Sequence, residues 1–477
     1  MGQEISGSRF TKRDFTRFSA HLAQETQLLA RWFDEQAFGV SPCTGGLELE
    51  AWLVGADMQP APLNAQFLEA LQNPLAFPEL AAFNIELNSA PSPLTGDALR
   101  RMQAELEALW AACRRAAATL GVHMVMIGTL PTVRQEMLTL ANMSGMARYR
   151  ALNEQVLRVR RGRPLQLDIE GHEILRVAHH DVMLEAATTS FQIHLQAAPE
   201  QAVRFYNAAI VASAPMVALS ANSPYLFGHD LWEETRIPLF EQAVEVGGFE
   251  GAAFGPIKRV TFGSGYASES LLECFRENLE HYPVLLPVEL DGPAEALNHL
   301  RLHNGTIWRW NRPLIGFDVE GRPTLRVEHR VVPAGPTIGD AVANAAFFHG
   351  LAHALAHLEA PPELQLPFAD ARDNFYAAAR HGLGATVAWL RGQRLNVREL
   401  ILGQLIPLAR VGLEGLGIDA GDVDHSLRIV AGRVQSGRTG SAWQRAFVAA
   451  HGRDWQGLVR AYLVGQESGV PVHEWPV

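Results

Sequence analysis

The sequence predicts an α+β protein in which short strands are mixed with long helices. Two patterns point to it. Four segments alternate polar and apolar residues with the period of two that a half-buried strand requires. Around them run longer stretches whose apolar residues recur every three or four positions, the period of an amphipathic helix. No internal repeat or low-complexity tract interrupts the pattern.

In chain order, residues 1–40 read as a helical lead-in, with Phe18, Leu22, Leu29 and Phe33 on one side. From about Gly45 the short alternating segments begin. A helix is expected from about Asp97 to Leu120, its inner face marked by Leu99, Met102, Leu106, Leu109 and Trp110. Asp97, just after Thr95-Gly96, supplies its start signal. Residues 132–182 carry Arg148, Arg150, Arg158, Arg160, Arg161 and Arg163 and read as an excursion from the main sheet. Those arginines suit a solvated helix face. Glu200 to Ala221 is mostly helical and runs into the turn Asn222-Ser223-Pro224. Glu359-Ala360-Pro361-Pro362 breaks the pattern, and amphipathic helices follow it. The chain therefore divides into a lead-in (1–44), a central domain (45–360) and a helical C-terminal region (361–477) packed on it.

Composition narrows the function. Of 477 residues, 48% are hydrophobic and 19% charged, enough apolar material for a sizeable core. The net charge of −11 argues against a nucleic-acid binder, which needs a basic face. Cys43, Cys113 and Cys274 are too few and scattered for a disulfide framework or zinc site, which fits a reducing cytoplasm. The first ten residues show no secretory signal, and Met1–Ser6 fits a myristoylation pattern too loose to carry weight. The longest apolar run, Ala208 to Ala221, is interrupted by Ser213 and Pro215 and is too short to span a bilayer, so no membrane partner is expected. The expected partners are small molecules, and the sequence leaves room for a homo-oligomer.

The four alternating segments share a chemistry. Glu48 and Glu50 oppose Leu47, Leu49 and Leu53; Glu86 and Asn88 oppose Ile85 and Leu87. Gln192, His194 and Gln196 oppose Phe191, Ile193 and Leu195, and Arg326, Glu328 and Arg330 oppose Leu325, Val327 and Val331. If the strands share a sheet, their polar faces converge. Four carboxylates brought together need compensating cations. Magnesium takes oxygen ligands, and carboxylates two residues apart on a strand, about 6.5–7 Å, can hold neighbouring ions. Arg326 and Arg330 would face transferring phosphate oxygens. An ordinary half-exposed sheet also alternates, but choosing Glu, His and Arg four times over Lys, Thr and Ser weighs against it.

Other signals carry less. There is no Gly-x-x-x-x-Gly-Lys-Ser/Thr loop, and Gly263-Ser264-Gly265 reads as a turn. His349, His353 and His357 would line one side of a helix as packing or solvated residues. Trp308 and Trp310 read as packing, with adenine stacking as the alternative. His179-His180-Asp181 lies just upstream of the His194 strand, and position alone assigns it nothing.

At Gly46-Leu47-Glu48-Leu49-Glu50, Ile85-Glu86-Leu87-Asn88-Ser89-Ala90-Pro91, Thr189-Ser190-Phe191-Gln192-Ile193-His194, Leu219 to Pro224, Asn304-Gly305-Thr306-Ile307-Trp308 and Val327-Glu328-His329-Arg330, the chain resembles glutamate–cysteine ligase family 2. These carboxylate–amine ligases are related in fold to glutamine synthetase. The resemblance spans about residues 45–350; the part after 360 matches only as generic helix. It implies a curved antiparallel sheet with helices on its convex side and the active site in the concave funnel. By similarity, Glu48, Glu50, Glu86, His194 and Glu328 would bind magnesium, with manganese as a substitute, against the phosphates of ATP. Arg330, with Glu328, would be catalytic and contact the transferred phosphoryl group, and Arg326 would assist it. Arg236 would hold the amino-acid substrate's carboxylate, and Gln192 and Asn88 would also contact substrate. The implied reaction phosphorylates the side-chain carboxylate of glutamate, or a related acid, for attack by cysteine or another amine, as in glutathione biosynthesis. A ligase with a different acid or amine, a non-catalytic regulatory member of the fold and a metal-dependent hydrolase are the competing readings.

Overall fold

A computed structural model describes residues 9–39, 42–246 and 258–477; the Met1–Ser6 pattern lies outside the described residues. The alternating segments become strands of one sheet. In chain order the strands that form the main sheet and the hairpin beside it are β1 (Thr44–Val54), β2 (Ala76–Pro78), β3 (Asn84–Asn88), β4 (Ser92–Pro93), β5 (His123–Val125), β6 (Leu165–Glu170), β7 (Ile174–His179), β8 (Ser190–Gln196), β9 (Asn311–Phe317) and β10 (Pro323–Pro333). The eight-stranded antiparallel sheet runs β9-β10-β8-β1-β3-β2, with β4 and β5 also pairing with β1. It curls into a half-barrel, as expected for the fold class. Strands β6 and β7 form a separate hairpin, so the 132–182 segment does leave the main sheet.

Register brings the chemistry together. Glu50 pairs with Glu86 across β1 and β3, Glu48 with Gln192 across β1 and β8, and Glu328 with His194 across β10 and β8. The β10–β8 pairing shifts by one residue between His329 and Val332, so Arg330 and Val331 together face Gln192 in a bulge. Such bulges re-aim side chains beside functional sites.

The sheet's other face is dry. Leu47, Leu49, Phe191, Ile193, Leu195, Leu325 and Val327 are all buried in one core with the helices behind them. The helices that matter here are α1 (Lys12–Asp34), α2 (Ala98–Thr119), α3 (Ala147–Val159), α4 (Ala202–Ser220), α5 (Asn298–Gly305), α6 (Ile338–Ala356), α7 (Phe368–His381) and α8 (Ile406–Gly415). Helix α1 starts with a capping box between Thr11 and Asp14. Asp97 stands at the start of α2 but caps nothing; its carboxylate pairs with Arg101 one turn on. Helices α4 and α6 are buried nearly all round and therefore lack a polar face. With its preceding turn, α4 makes a stretch, Pro199–Ser220, long and apolar enough by composition to cross a bilayer, which the interrupted run in the sequence did not suggest. Its apolar window is 89% buried inside the protein, as a core helix would be.

Helices α6 and α8 cross where Gly350 meets Gly412. A Cβ on Gly412 would lie 1.8 Å from the Gly350 carbonyl oxygen, so only glycine allows this approach. Phe375, Leu405, Leu413, Leu427 and Val430 of the C-terminal helices belong to the same core as the sheet.

Candidate active site

The curled sheet encloses a cavity of ≈ 290 Å³. Glu48, Glu50, Glu86, Gln192, Arg326, Glu328 and Arg330 all line it. Neighbouring strands place these side chains on one face, so the cluster follows from strand period and register together. His194 joins it beside Glu48, with Nε2 3.0 Å from Oε1. One ligand atom each from Glu48, His194 and Glu328 lie within 4.8 Å of one another.

Each acid has its own surroundings. Glu50 accepts hydrogen bonds from the Ser190 amide (2.6 Å), the Ser190 hydroxyl (2.7 Å) and the Gln192 amide (3.1 Å). Burial nevertheless holds its carboxyl above the ordinary range. Burial would raise Glu48 as well, but His194 beside it brings the carboxyl down to about 2. Glu86 is pushed up to about 7 by burial and by the charge of Glu48, against one hydrogen bond from Asn88 (2.8 Å). Glu328 sits well below the ordinary range because two arginines outweigh its burial.

One of those arginines went unnoticed in the sequence. Arg312, on β9 opposite Glu328, grips it with both prongs, Nε to Oε2 at 2.8 Å and Nη2 to Oε1 at 3.0 Å. Arg330 adds a bond to Glu328 Oε2 at 2.9 Å and donates to Gln192 Oε1. Other lining residues not singled out as site residues include Glu79, Glu185 and Tyr149. Glu79 is held well above the ordinary carboxylate range by burial and by Glu86, and Glu185 reaches about 8 through burial and the Glu50 charge. Glu79 follows the three-residue strand β2 and Glu185 sits in a 3-10 turn, where no sequence period marks an inward position.

Other expectations resolve differently. Arg236 does not line the cavity: it is buried, its Nε bonds Glu234 (3.3 Å), and its Nη2 bonds the Val331 carbonyl (2.6 Å). Its charge still reaches Glu50. Asn88 lies beside the lining residues and orients Glu86. Arg148 was expected on a solvated face, yet it turns inward on α3 and bonds the Tyr149 hydroxyl (2.7 Å), while Arg150 is exposed. Trp310 is wholly buried with its indole N–H on Glu241 (2.9 Å), whereas Trp308 lines the cavity. His349 is buried behind the sheet, and His353 and His357 pack on each other and on Phe205. Gly263 makes a turn away from the cavity lining.

The donor set suits hard divalent cations. Carboxylate oxygens dominate it, and Glu79, Glu86 and Glu185 are raised by burial and by neighbouring carboxylates; a cation among them would relieve the charge crowding. On the same walls, Arg312, Arg326 and Arg330 present positive charge of the kind that neutralises a transferring phosphoryl group.

Comparison with solved structures finds similar chains. A glutamate–cysteine ligase from Francisella tularensis in complex with AMP aligns at TM-score 0.55 and 12% identity, covering 92% of this chain and 91% of that one. A bifunctional glutathione synthetase from Pasteurella multocida aligns at 0.45 and 12%, covering 89% and 52%. The complex of the ubiquitin-like protein Pup with its ligase PafA aligns at 0.38 and 9%, covering 89% and 72%. A search of the curated proteins finds no significant match. The profile of glutamate–cysteine ligase family 2 matches residues 44–462, nearly the whole chain. With a match of that extent and the half-barrel that carries it, the chain belongs to glutamate–cysteine ligase family 2 and is an ATP-dependent carboxylate–amine ligase.

Proposed function

We propose that the protein joins the side-chain carboxylate of glutamate to the amine of cysteine, forming γ-glutamylcysteine through an acyl phosphate. The observation that carries this reading is the convergence of Glu48, Glu50, Glu86, His194 and Glu328 on one cavity wall beside Arg330.

In this reading Glu48, Glu50, Glu86, His194 and Glu328 would hold magnesium, which when bound would supply positive charge against the nucleotide phosphates. The chain's own residues do the rest. Arg330, fixed by Glu328 and Gln192, contacts the phosphoryl group in transit. Arg326 adds charge from the same strand face. Gln192 and Asn88 hold Glu50 and Glu86 in place and border the substrate. Activation is required because a carboxylate is a poor acyl donor at neutral pH. Arg236 acts on the site from behind, through its charge on Glu50, rather than by gripping substrate directly.

The test is release of ADP and phosphate from magnesium-ATP, scanning amino acids singly and in pairs. Strict dependence on glutamate plus cysteine supports the reading. Turnover with another acid or amine keeps the chemistry and replaces the substrates. Turnover without nucleotide would point to a hydrolase, and none under any pairing to a non-catalytic member of the fold.

A further inference from the structure

Between the β6–β7 hairpin and β8 the chain makes a 3-10 turn, Val182–Ala187, in which five of six residues are buried. The sixth is Glu185, and it lines the cavity. The turn is pinned at its start. Asp181 accepts a hydrogen bond from the Met183 amide (2.9 Å) and is buttressed by His179 Nε2 (2.8 Å). Asn153 of α3 accepts from the Val182 amide (3.1 Å). The His179-His180-Asp181 motif thus reaches the site indirectly, by building the platform under Glu185. Rigid support of this kind is what an acid–base group needs to meet its substrate.

Glu185 is also unengaged. Among the described residues its carboxylate takes no hydrogen bond and no ion pair, whereas Glu48, Glu50, Glu86 and Glu328 are each held by a neighbour. The groups facing it are Glu50 from β1, Arg330 from β10, Glu79 from the β2–β3 link and Tyr149 from α3. It therefore stands next to Glu50 and Glu79 on the cavity wall, with its oxygens available to a second substrate.

We propose that Glu185 receives the acceptor amine and takes its proton before the amine attacks. The proposal rests on the ligase reading above. An amine reaches the site mostly as an ammonium, which has no lone pair. The ammonium's positive charge favours the ionised form of Glu185, and one N–H proton then passes to that carboxylate, giving the carboxylic acid and a neutral amine. The amine nitrogen then bonds to the acyl carbon, the carbon–oxygen bond to phosphate breaks, and phosphate leaves with the electron pair. The remaining extra proton on nitrogen goes to the departing phosphate. Glu185 returns its own proton to solvent.

Hydroxylamine separates this role from the others, because it is largely unprotonated at neutral pH and needs no base. The experiment compares Glu185→Gln with the unmodified protein, using magnesium-ATP and the acid and amine that the substrate panel ranks highest. We expect kcat with the amine to fall by about 10²–10⁴-fold, while hydroxamate formation from the same acid stays within about threefold. That retained activity also shows that the variant is folded. Glu185→Asp should recover part of the loss. An equal loss with both nucleophiles, or an unchanged kcat with the amine, overturns the proposal. If the unmodified protein turns over no acid with any amine or with hydroxylamine, the ligase reading itself falls, and this assignment with it.

Discussion

The Arg312–Glu328 pair offers a sharp test of how the cavity is held together. Both side chains are buried, the contact is two-pronged, and Arg330 shares one of the carboxylate's oxygens. Removing one partner of such a pair leaves an uncompensated charge in the interior, at a cost of about 3–5 kcal/mol. Arg312→Met should fall at the low end, about 3 kcal/mol, because Arg330 still faces Glu328. Glu328→Gln should cost a similar amount by stranding Arg312 on strand β9. The double variant removes both charges, so its loss should be at least about 2 kcal/mol smaller than the sum of the two single losses. Urea unfolding followed by tryptophan fluorescence measures all four corners of the cycle. Additive losses would refute the idea that the two residues act as a unit. A further check uses magnesium. Cation binding should stabilise Arg312→Met more than the unmodified protein, because there it also relieves the stranded carboxylate; an identical gain in both would count against a shared role at the cation wall.

Three other outcomes are expected. Glu48→Gln and Arg330→Ala should each cut nucleotide-dependent turnover at least about 10³-fold with the circular dichroism spectrum unchanged; normal activity in both would remove the basis for the site assignment. Glu86 has a folded-state carboxyl at about 7 against 4.5 for the free group, so the unfolded chain gives up its proton first as pH rises. Stability is therefore lost between pH 4.5 and 7, by as much as about 3 kcal/mol, and a cation that favours the carboxylate should restore it. Magnesium should accordingly raise the melting temperature more at pH 8 than at pH 5, and equal shifts would contradict this. Gly412→Ala must push α6 and α8 apart, because its new carbon would meet the Gly350 carbonyl. It should cost about 3 kcal/mol, read as a drop of several degrees in melting temperature, and an unchanged melt would show that the helices can separate freely.

Much of the fold was legible because strand period is two. Once Glu48 and Glu50 stand opposite Leu47 and Leu49, one face must be dry and the other polar, and the same logic assigned β3, β8 and β10. Sequence could not give the strand order, which depends on contacts between segments over a hundred residues apart. It also hid Arg312, whose strand begins Asn311-Arg312-Pro313 and shows no clean alternation. Glu79 and Glu185 sit on short connections, where a single residue decides direction and no period exists to read. Arg148 was lost in a run of arginines of which it alone lines the cavity. For Arg236 the reach from its helix into the cavity is taken up by Glu234 and the Val331 carbonyl, contacts that only the folded chain brings within range.

The one-residue shift at Arg330 and Val331 makes strand β10 read in two frames. Upstream, even numbers point to the cavity; past the bulge the parity resets, and Val332, still paired with β8 opposite Phe191, lies on the dry side. Losing Val331 would restore one-to-one pairing with β8 and leave the flanking residues on their present faces, but it would remove the kink that aims Arg330. The extra residue therefore steers one guanidinium and does not decide which side its neighbours take.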